Sequence, residues 1–301
     1  MGQTSLEQSI DAIAAAEAKQ RRRPPLWLRV MRQRQAAMGV GLVGMLVLLA
    51  TLAPFLTPYD PIRSNNPTFL PPLSDAHYFG TTAIGRDLFS AIAYGARVSL
   101  VIGLVVALLS TVIGIVVGAL AGYFGSWVDD ALMRVTELFL IIPRFFLALL
   151  VIAMFGHNLL NIIAVLALLS WPPVARIVRA DFLSLKHREF VQAARLMGSP
   201  DLRIIRREIL PNALGPAIVI GSLQVAQAIL TEASLAFLGL GDPDLPSWGE
   251  LLVDAQRFLT RAPWLALFPG IAITMAVVGF NLIGDGLAYA LDPRARGKGL
   301  Q

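Results

Sequence analysis

No cysteine occurs anywhere in the 301 residues, which excludes a disulfide framework, a thiolate metal site and a thiol nucleophile. Charge is scarce too: Asp, Glu, Lys and Arg supply 15% of the chain, against about a quarter in an ordinary soluble domain. The three histidines, His77, His157 and His187, stand apart from one another, so no metal-ligand spacing is present. The phosphate-cradling pattern G-x-x-x-x-G-K-[ST] is missing, and with it any ground for placing ATP on this chain. No repeat at a period of about 20 to 50 residues and no low-complexity linker divides the sequence.

What is abundant is apolar. Hydrophobic residues make up 56% of the chain, and the mean hydropathy is +0.66. They are grouped in runs long enough to cross about 30 Å of hydrocarbon at about 1.5 Å per residue. Six helical spans are predicted, at 36–56, 96–121, 131–155, 159–178, 213–237 and 264–287. The first ends in the breakers Thr57-Pro58-Tyr59-Asp60-Pro61. The third and fourth carry charge or Pro-Pro interruptions. Ahead of the first span, Thr4 to Gln20 is polar and Ala-rich, room for a short surface helix. It lacks the early apolar core of a secretory signal, so the first span is expected to stay uncleaved. The segments 57–95 and 239–263 are dense in Pro, Gly, Asn and Asp and are expected to form ordered turns or short interfacial helices.

Basic residues set the orientation. Lys19, Arg21, Arg22, Arg23, Arg29, Arg32 and Arg34 precede the first span. Arg176, Arg179, Lys186, Arg188, Arg195, Arg203, Arg206 and Arg207 lie between or beside the fourth and fifth. Arg294, Arg296 and Lys298 follow the sixth. The opposite side has only Arg63, Arg86, Arg97, Arg257 and Arg261. Both termini are therefore expected in the cytoplasm, and the net charge of +5 reads as topology, with no nucleic-acid partner. The domain reading is a tail 1–35, a six-span domain 36–291 and a tail 292–301.

One loop, 181–211, is longer than the usual helix connection of about 2 to 8 residues. Its first part reads as an amphipathic helix with Phe190, Ala193, Ala194 and Met197 on one face. Gly198 is placed to end it. Ser199 is read as the N-cap, with Pro200 in the first turn, of a second helix Asp201–Ile209 that stops at Leu210-Pro211. Such a helix suits a groove on another protein, or it lies on the inner leaflet anchored by its arginines; the residues alone leave both open.

Here the sequence resembles a known family. Gln192-Ala-Ala-Arg-Leu-Met-Gly198, followed by Ile209-Leu-Pro-Asn212, is similar to the E-A-A…G…I-x-L-P loop of binding-protein-dependent ABC importer permeases. Phe79-Gly-Thr-Thr-Ala-Ile-Gly-Arg-Asp-Leu88 and Glu232-Ala-Ser-Leu-Ala-Phe-Leu-Gly-Leu-Gly241 with Pro246-Ser-Trp-Gly249 resemble its peptide and nickel branch. So does Phe280-Asn-Leu-Ile-Gly-Asp-Gly286 with Leu291-Asp-Pro-Arg294. Together they look like the C-type permease subunit of dipeptide and oligopeptide importers. The likeness departs from the pattern at Gln192, where the family has glutamate, and at Glu208, where it has an apolar residue.

This resemblance implies an all-α, six-span type I ABC importer permease in the bacterial inner or plasma membrane, forming half of a pore and catalysing nothing itself. Its partners would be a homologous B-type permease, two cytoplasmic ATPases and an extracytoplasmic substrate-binding protein. No cofactor would sit on this chain, since ATP and Mg2+ belong to the ATPases. The cargo would be a peptide, or else a nickel complex, glutathione or an oligosaccharide. ATPase coupling would fall to Glu189, Phe190, Gln192, Ala193, Ala194, Met197, Gly198, Leu210 and Pro211. A secondary transporter, the distant alternative, would usually show inverted repeats and intramembrane acids, both sparse here.

Charges near the membrane give the remaining candidates. Arg144, after Pro143 in the third span, either faces the pore and attracts a carboxylate or pairs with a neighbouring acid. Glu232, near the outer end of the fifth span, is a candidate for the outer gate or a local fastening. Gly85, Arg86 and Asp87 form a helix-opening turn, read as a binding-protein contact or as a loop fastening. Arg134 and Glu137 have the spacing of an ion pair. Gly103, Gly114, Gly118, Gly122 and Gly125 are expected to permit close helix approach. Asp285 and the Asp292-Pro293 stop read as structural.

Overall fold

The computed structural model describes residues 26–57, 59–60, 66–74 and 77–291. The Thr4–Gln20 stretch, Arg21 to Arg23, Arg63, the Asp292-Pro293 stop and the basic residues 294–298 lie outside the described residues. Among those described, the regular structure is helical, and two isolated bridges, Ser74 with His77 and Thr81 with Asp87, fasten the loop before the second span.

The order is α1 (Leu26–Met31), α2 (Arg34–Leu56), α3 (Leu88–Phe124), α4 (Ser126–Ile141), α5 (Arg144–Phe155), α6 (Leu159–Ser170), α7 (Pro172–Leu185), α8 (Glu189–Leu196) and α9 (Asp201–Arg203). A π-helical stretch, Ile204–Ile209, leads into α10 (Leu210–Leu235), and a second, Ala236–Leu240, follows it. Helices α11 (Trp248–Gln256) and α12 (Trp264–Leu291) complete the chain. Five segments are long and apolar enough to cross a bilayer: Arg34–Leu56, Leu88–Phe124, Leu159–Leu185, Asp201–Leu240 and Trp264–Leu291. The pair α4 and α5 passes the same test together but is bent by 85°, the geometry of a broken span or of a re-entrant loop.

That bend corrects the continuous third span. Pro143 has no N–H for the helix ladder, and it forces Ile142 before it into extended backbone at φ −80°, ψ 127°. The second span also starts earlier than its hydropathy alone indicates. Asp87 caps α3, accepting from Ser90 N at 2.8 Å and Ser90 Oγ at 2.6 Å, so the helix opens at Leu88. Its 37 residues make it about 55 Å long, well beyond about 30 Å of hydrocarbon.

Small residues on α3 set the helix spacing. A Cβ at Gly114 would stand 2.5 Å from Val174 Cβ, one at Gly118 2.4 Å from Ala175 O, and one at Gly122 2.5 Å from Phe182 Cβ. These four-residue steps keep one face of α3 against α7 at backbone distance. Gly103 does the same for α10, where a Cβ would meet Ile229 Cγ1 at 2.6 Å. Gly125 serves a turn instead, its φ of +66° making the corner between α3 and α4.

Several polar groups inside the bundle are paired across helices, as a bilayer favours. Ser110 Oγ donates to Gln224 Oε1 at 2.5 Å, and Gln224 Nε2 donates to the Ser170 carbonyl at 2.8 Å, joining α3, α10 and α6. Pro54 cannot donate to the Ala50 carbonyl, and Arg97 Nε of α3 fills that vacancy at 2.6 Å. Trp248 is fully buried, its backbone N–H donating to Ser99 Oγ and its Nε1 to the Ile92 carbonyl, each at 3.1 Å. This clamps α11 across the end of the bundle away from the 181–211 loop.

Gly118→Leu is expected to lower the stability of the purified chain by about 3 kcal/mol, since the intruding side chain meets backbone that cannot repack. Gly44→Leu, where a Cβ meets nothing within 4 Å, should change it by less than about 0.5 kcal/mol. Thermal unfolding in detergent distinguishes the two.

Candidate functional site

The loop between α7 and α10 is built from inside outward. Its helix α8 buries Val191 and Ala194 against Tyr123, Phe182 and Ile204. Gly198 closes it with φ +76°, its N–H donating to Arg195 O at 2.9 Å and that of Ser199 to Ala194 O at 3.1 Å. The chain then turns at Pro200, which is the N-cap residue of α9 in extended backbone at φ −67°, ψ 149°. Ser199 therefore does not cap this helix. Nor does the helix stop at Leu210-Pro211. Its turns widen over Ile204–Ile209, and the Leu210 N–H reaches Ile205 O. The wider turn makes room for the Pro211 ring, which an α-helical turn would push into the preceding carbonyl. From Asp201 on, the loop thus runs without a break into the fifth span.

Among the residues that α8 and its ends turn outward are several large apolar ones. Phe190 is 41% exposed, Met197 79% and Leu196 90%, with Leu202 on α9 at 64%. Ala193, Glu189, Gln192 and Gly198 are exposed beside them, as is Pro211, while Leu210 is partly buried. Ala194 is corrected from an outward-facing residue to a buried one. Leu196 and Leu202 escape the sequence reading, because both faces of this short helix carry apolar residues and the sequence alone does not say which is covered. Gln192 donates to the Lys186 carbonyl at 3.3 Å, tying the head of α8 to the end of α7.

At the opposite end, the turn ahead of α3 is mostly a fastening. Gly85 is buried, and a Cβ there would stand 2.1 Å from the Asn66 carbonyl. Asp87 is also buried, spending one oxygen on the α3 cap while the other lies 2.7 Å from His77 Nδ1. Neither is available to a partner. Arg86 is partly exposed and lines a polar cavity of about 350 Å3 with Ile84, Asp244, Pro246, Glu250 and Asp254. Burial, with Asp254 adding to it, raises the Glu250 carboxyl above its ordinary value, against the lowering effect of Arg86 and His157.

Glu232 does not line an open path. It is 2% exposed beneath α11 beside the Ser247 hydroxyl, and its Oε2 has no hydrogen-bond partner among the described residues. The close seat of α11 covers it: a Cβ on Gly249 would lie 2.6 Å from Ala233 Cα. Arg144 is exposed at the first position of α5, on the 85° bend. Arg134 and Glu137, both among the described residues, form no ion pair with each other. The ion pair in this region runs between helices, Arg179 of α7 holding both oxygens of Asp129 of α4 at 2.5 and 2.6 Å.

Residues 114–297 match the family described as binding-protein-dependent transport system inner membrane component. Residues 26–72 match the N-terminal TM domain of oligopeptide transport permease C. The dipeptide transport system permease protein DppC of Alkalihalophilus pseudofirmus is 39% identical over 269 residues, covering 89% of this chain and 88% of its own. The glutathione transport system permease protein GsiD of Pectobacterium atrosepticum is 39% identical over 277 residues, 90% of each chain.

The raised Glu250 has a testable sign. A carboxyl that holds its proton more tightly when folded contributes stability below its unfolded value of about 4.3, and loses it as pH rises through the folded one. Glu250→Gln is expected to raise the thermal midpoint at about pH 8 and to leave it unchanged below about pH 4. A lowered midpoint at about pH 8 would show that Arg86 and His157 outweigh burial.

Proposed function

Because this chain belongs to the binding-protein-dependent transport system inner membrane components, we propose that it forms half of the translocation pore of an ATP-driven peptide importer. The observation that carries the mechanism is the two-sided loop helix α8. Its inner face is locked into the spans by Val191 and Ala194, while Phe190, Leu196 and Met197 stand out as an apolar cap. An exposed apolar patch on a rigid, basic end is the chemistry of a docking contact. The count of Lys and Arg supports reading that end as cytoplasmic, the side on which the ATPases would dock.

Two ATPases closing on ATP pull the α8 caps of this chain and of a homologous, non-identical permease toward each other. Beyond the Gly198 corner, α9 and the π-helical stretch run into the fifth span, so the pull on α8 tilts spans as a lever and exchanges inward for outward access. Glu189, Gln192, Ala193, Gly198 and Pro211 lie around the apolar cap and complete the contact. On the outer side a substrate-binding protein delivers the cargo, and Arg86, partly exposed, is the residue of the Gly85–Asp87 triplet assigned to meet it. Arg144, at the break in the third span, is assigned to the pathway as the cation that meets a peptide carboxylate. Peptide cargo is supported by the dipeptide and glutathione relatives, glutathione being itself a tripeptide.

The test is ATP-driven uptake in proteoliposomes containing the full set of subunits. Replacing Phe190, Leu196 and Met197 together by Asp is expected to cut both uptake and ATPase co-purification by about tenfold or more, with membrane insertion unchanged. Wild-type uptake and ATPase retention in that variant would show that α8 is not the coupling element. Dipeptides, glutathione and a nickel complex offered in turn identify the cargo.

A further inference from the structure

We infer that Tyr123 is the positioning residue that makes the coupling loop rigid, by bracing the two sides of the Gly198 corner and tying both to the second span. This inference rests on the reading of α8 as the ATPase contact. Tyr123 lies at the inner end of α3 and is 3% exposed. Its hydroxyl donates to Asp201 Oδ1 at 2.5 Å, on the far side of the corner. On the near side, the Arg195 guanidinium carbon sits 5.5 Å from the ring centroid, within range of cation–π attraction. Lys186, at the end of α7, closes the set: its Nζ lies 5.7 Å from the ring centroid and donates to the Tyr123 carbonyl at 2.5 Å.

The corner these contacts span is the weak point of the loop. The only glycine between α8 and α9 is Gly198, in left-handed backbone at φ +76°, and a Cβ there would meet nothing within 4 Å. A corner of that kind, open on its outer side, bends easily under load. A pull on Phe190, Leu196 and Met197 would then be spent in swinging α8 about Gly198. Arg195 precedes the corner and Asp201 follows it, and one buried aromatic side chain holds both. Any opening of the corner must break the Tyr123–Asp201 hydrogen bond or lift Arg195 off the ring. The displacement therefore passes into α3 and, through Asp201, into the fifth span at the same time. Phenylalanine would fill the same space between Val191, Ala194 and Phe182, and would lack only what the hydroxyl makes with Asp201 and Arg195 on the two sides of the corner. The hydroxyl is thus the part of the residue that packing does not explain.

The measurement is peptide taken up per ATP hydrolysed in the reconstituted complex, together with stimulation of ATP hydrolysis by the loaded binding protein. Tyr123→Phe and Asp201→Ala are each expected to lower uptake per ATP by about fivefold, the scale of one lost hydrogen bond to a charged acceptor at a partly exposed site. Their double variant should be no worse than either single one, because both remove the same bond. Asp201→Asn, which still accepts from the hydroxyl, should stay near wild type. All four should retain the ATPases, with thermal midpoints within about 4 °C of wild type. A wild-type ratio in Tyr123→Phe, or single effects that multiply in the double variant, would overturn the inference. If the apolar-cap variant at Phe190, Leu196 and Met197 still couples normally, it is the docking reading that fails, an outcome read from a different variant.

Discussion

With no side chains at Gly114, Gly118 and Gly122, the second span and α7 meet backbone to backbone, and the placement of the loop follows from that contact. Because α7 is held at this distance along about two turns, its end reaches Tyr123, and Lys186 finds the Tyr123 carbonyl near the end of α3. Arg179, further back on the same helix, is then in register to hold Asp129. A bulkier residue anywhere in the stripe would push α7 outward and take the loop helix with it. In lipid no hydrophobic gain restores such a contact, because hydrocarbon tails are as apolar as the side chains they would replace.

The same environment explains how the prolines are managed. Each of three prolines within a span frees a carbonyl or deflects the chain, and each is answered in a different way. Pro54 is answered by an arginine from the next span, Pro211 by a widened turn, and Pro143 by abandoning the helix direction. Hydrogen bonds have few alternative partners in the hydrocarbon, so the response must be local and complete. The Ser110–Gln224–Ser170 junction follows the same rule, with every polar group named in it satisfied by another helix.

Much of this architecture is legible in the sequence. Hydropathy locates the spans, because about 20 apolar residues in a row have few other uses. Glycines at four-residue spacing announce a close contact, and Gly198 announces the end of α8. Other features depend on relations between distant segments. Val191 and Ala194 are inner residues because Tyr123 and Ile204 happen to lie beneath them, a pairing that no periodicity within α8 encodes. Glu232 is covered by a helix that starts at Trp248, and Asp87, open to either a binding-protein contact or a loop fastening in the sequence, turns inward to His77 and Ser90. The 85° bend is visible as a proline but not as an angle, since a proline fixes what is forbidden at a position and leaves the new direction to packing.

The arginine that serves Pro54 has a consequence for the order of assembly in the membrane. The Ala50 carbonyl receives its hydrogen bond from a residue 47 positions later in the chain. Until the second helix exists, the first one sits in lipid with a bare acceptor, a cost of several kcal/mol in hydrocarbon. The guanidinium, for its part, is cheaper to insert with that carbonyl waiting for it. The first two helices thus complement each other, each carrying a polar group that the other satisfies.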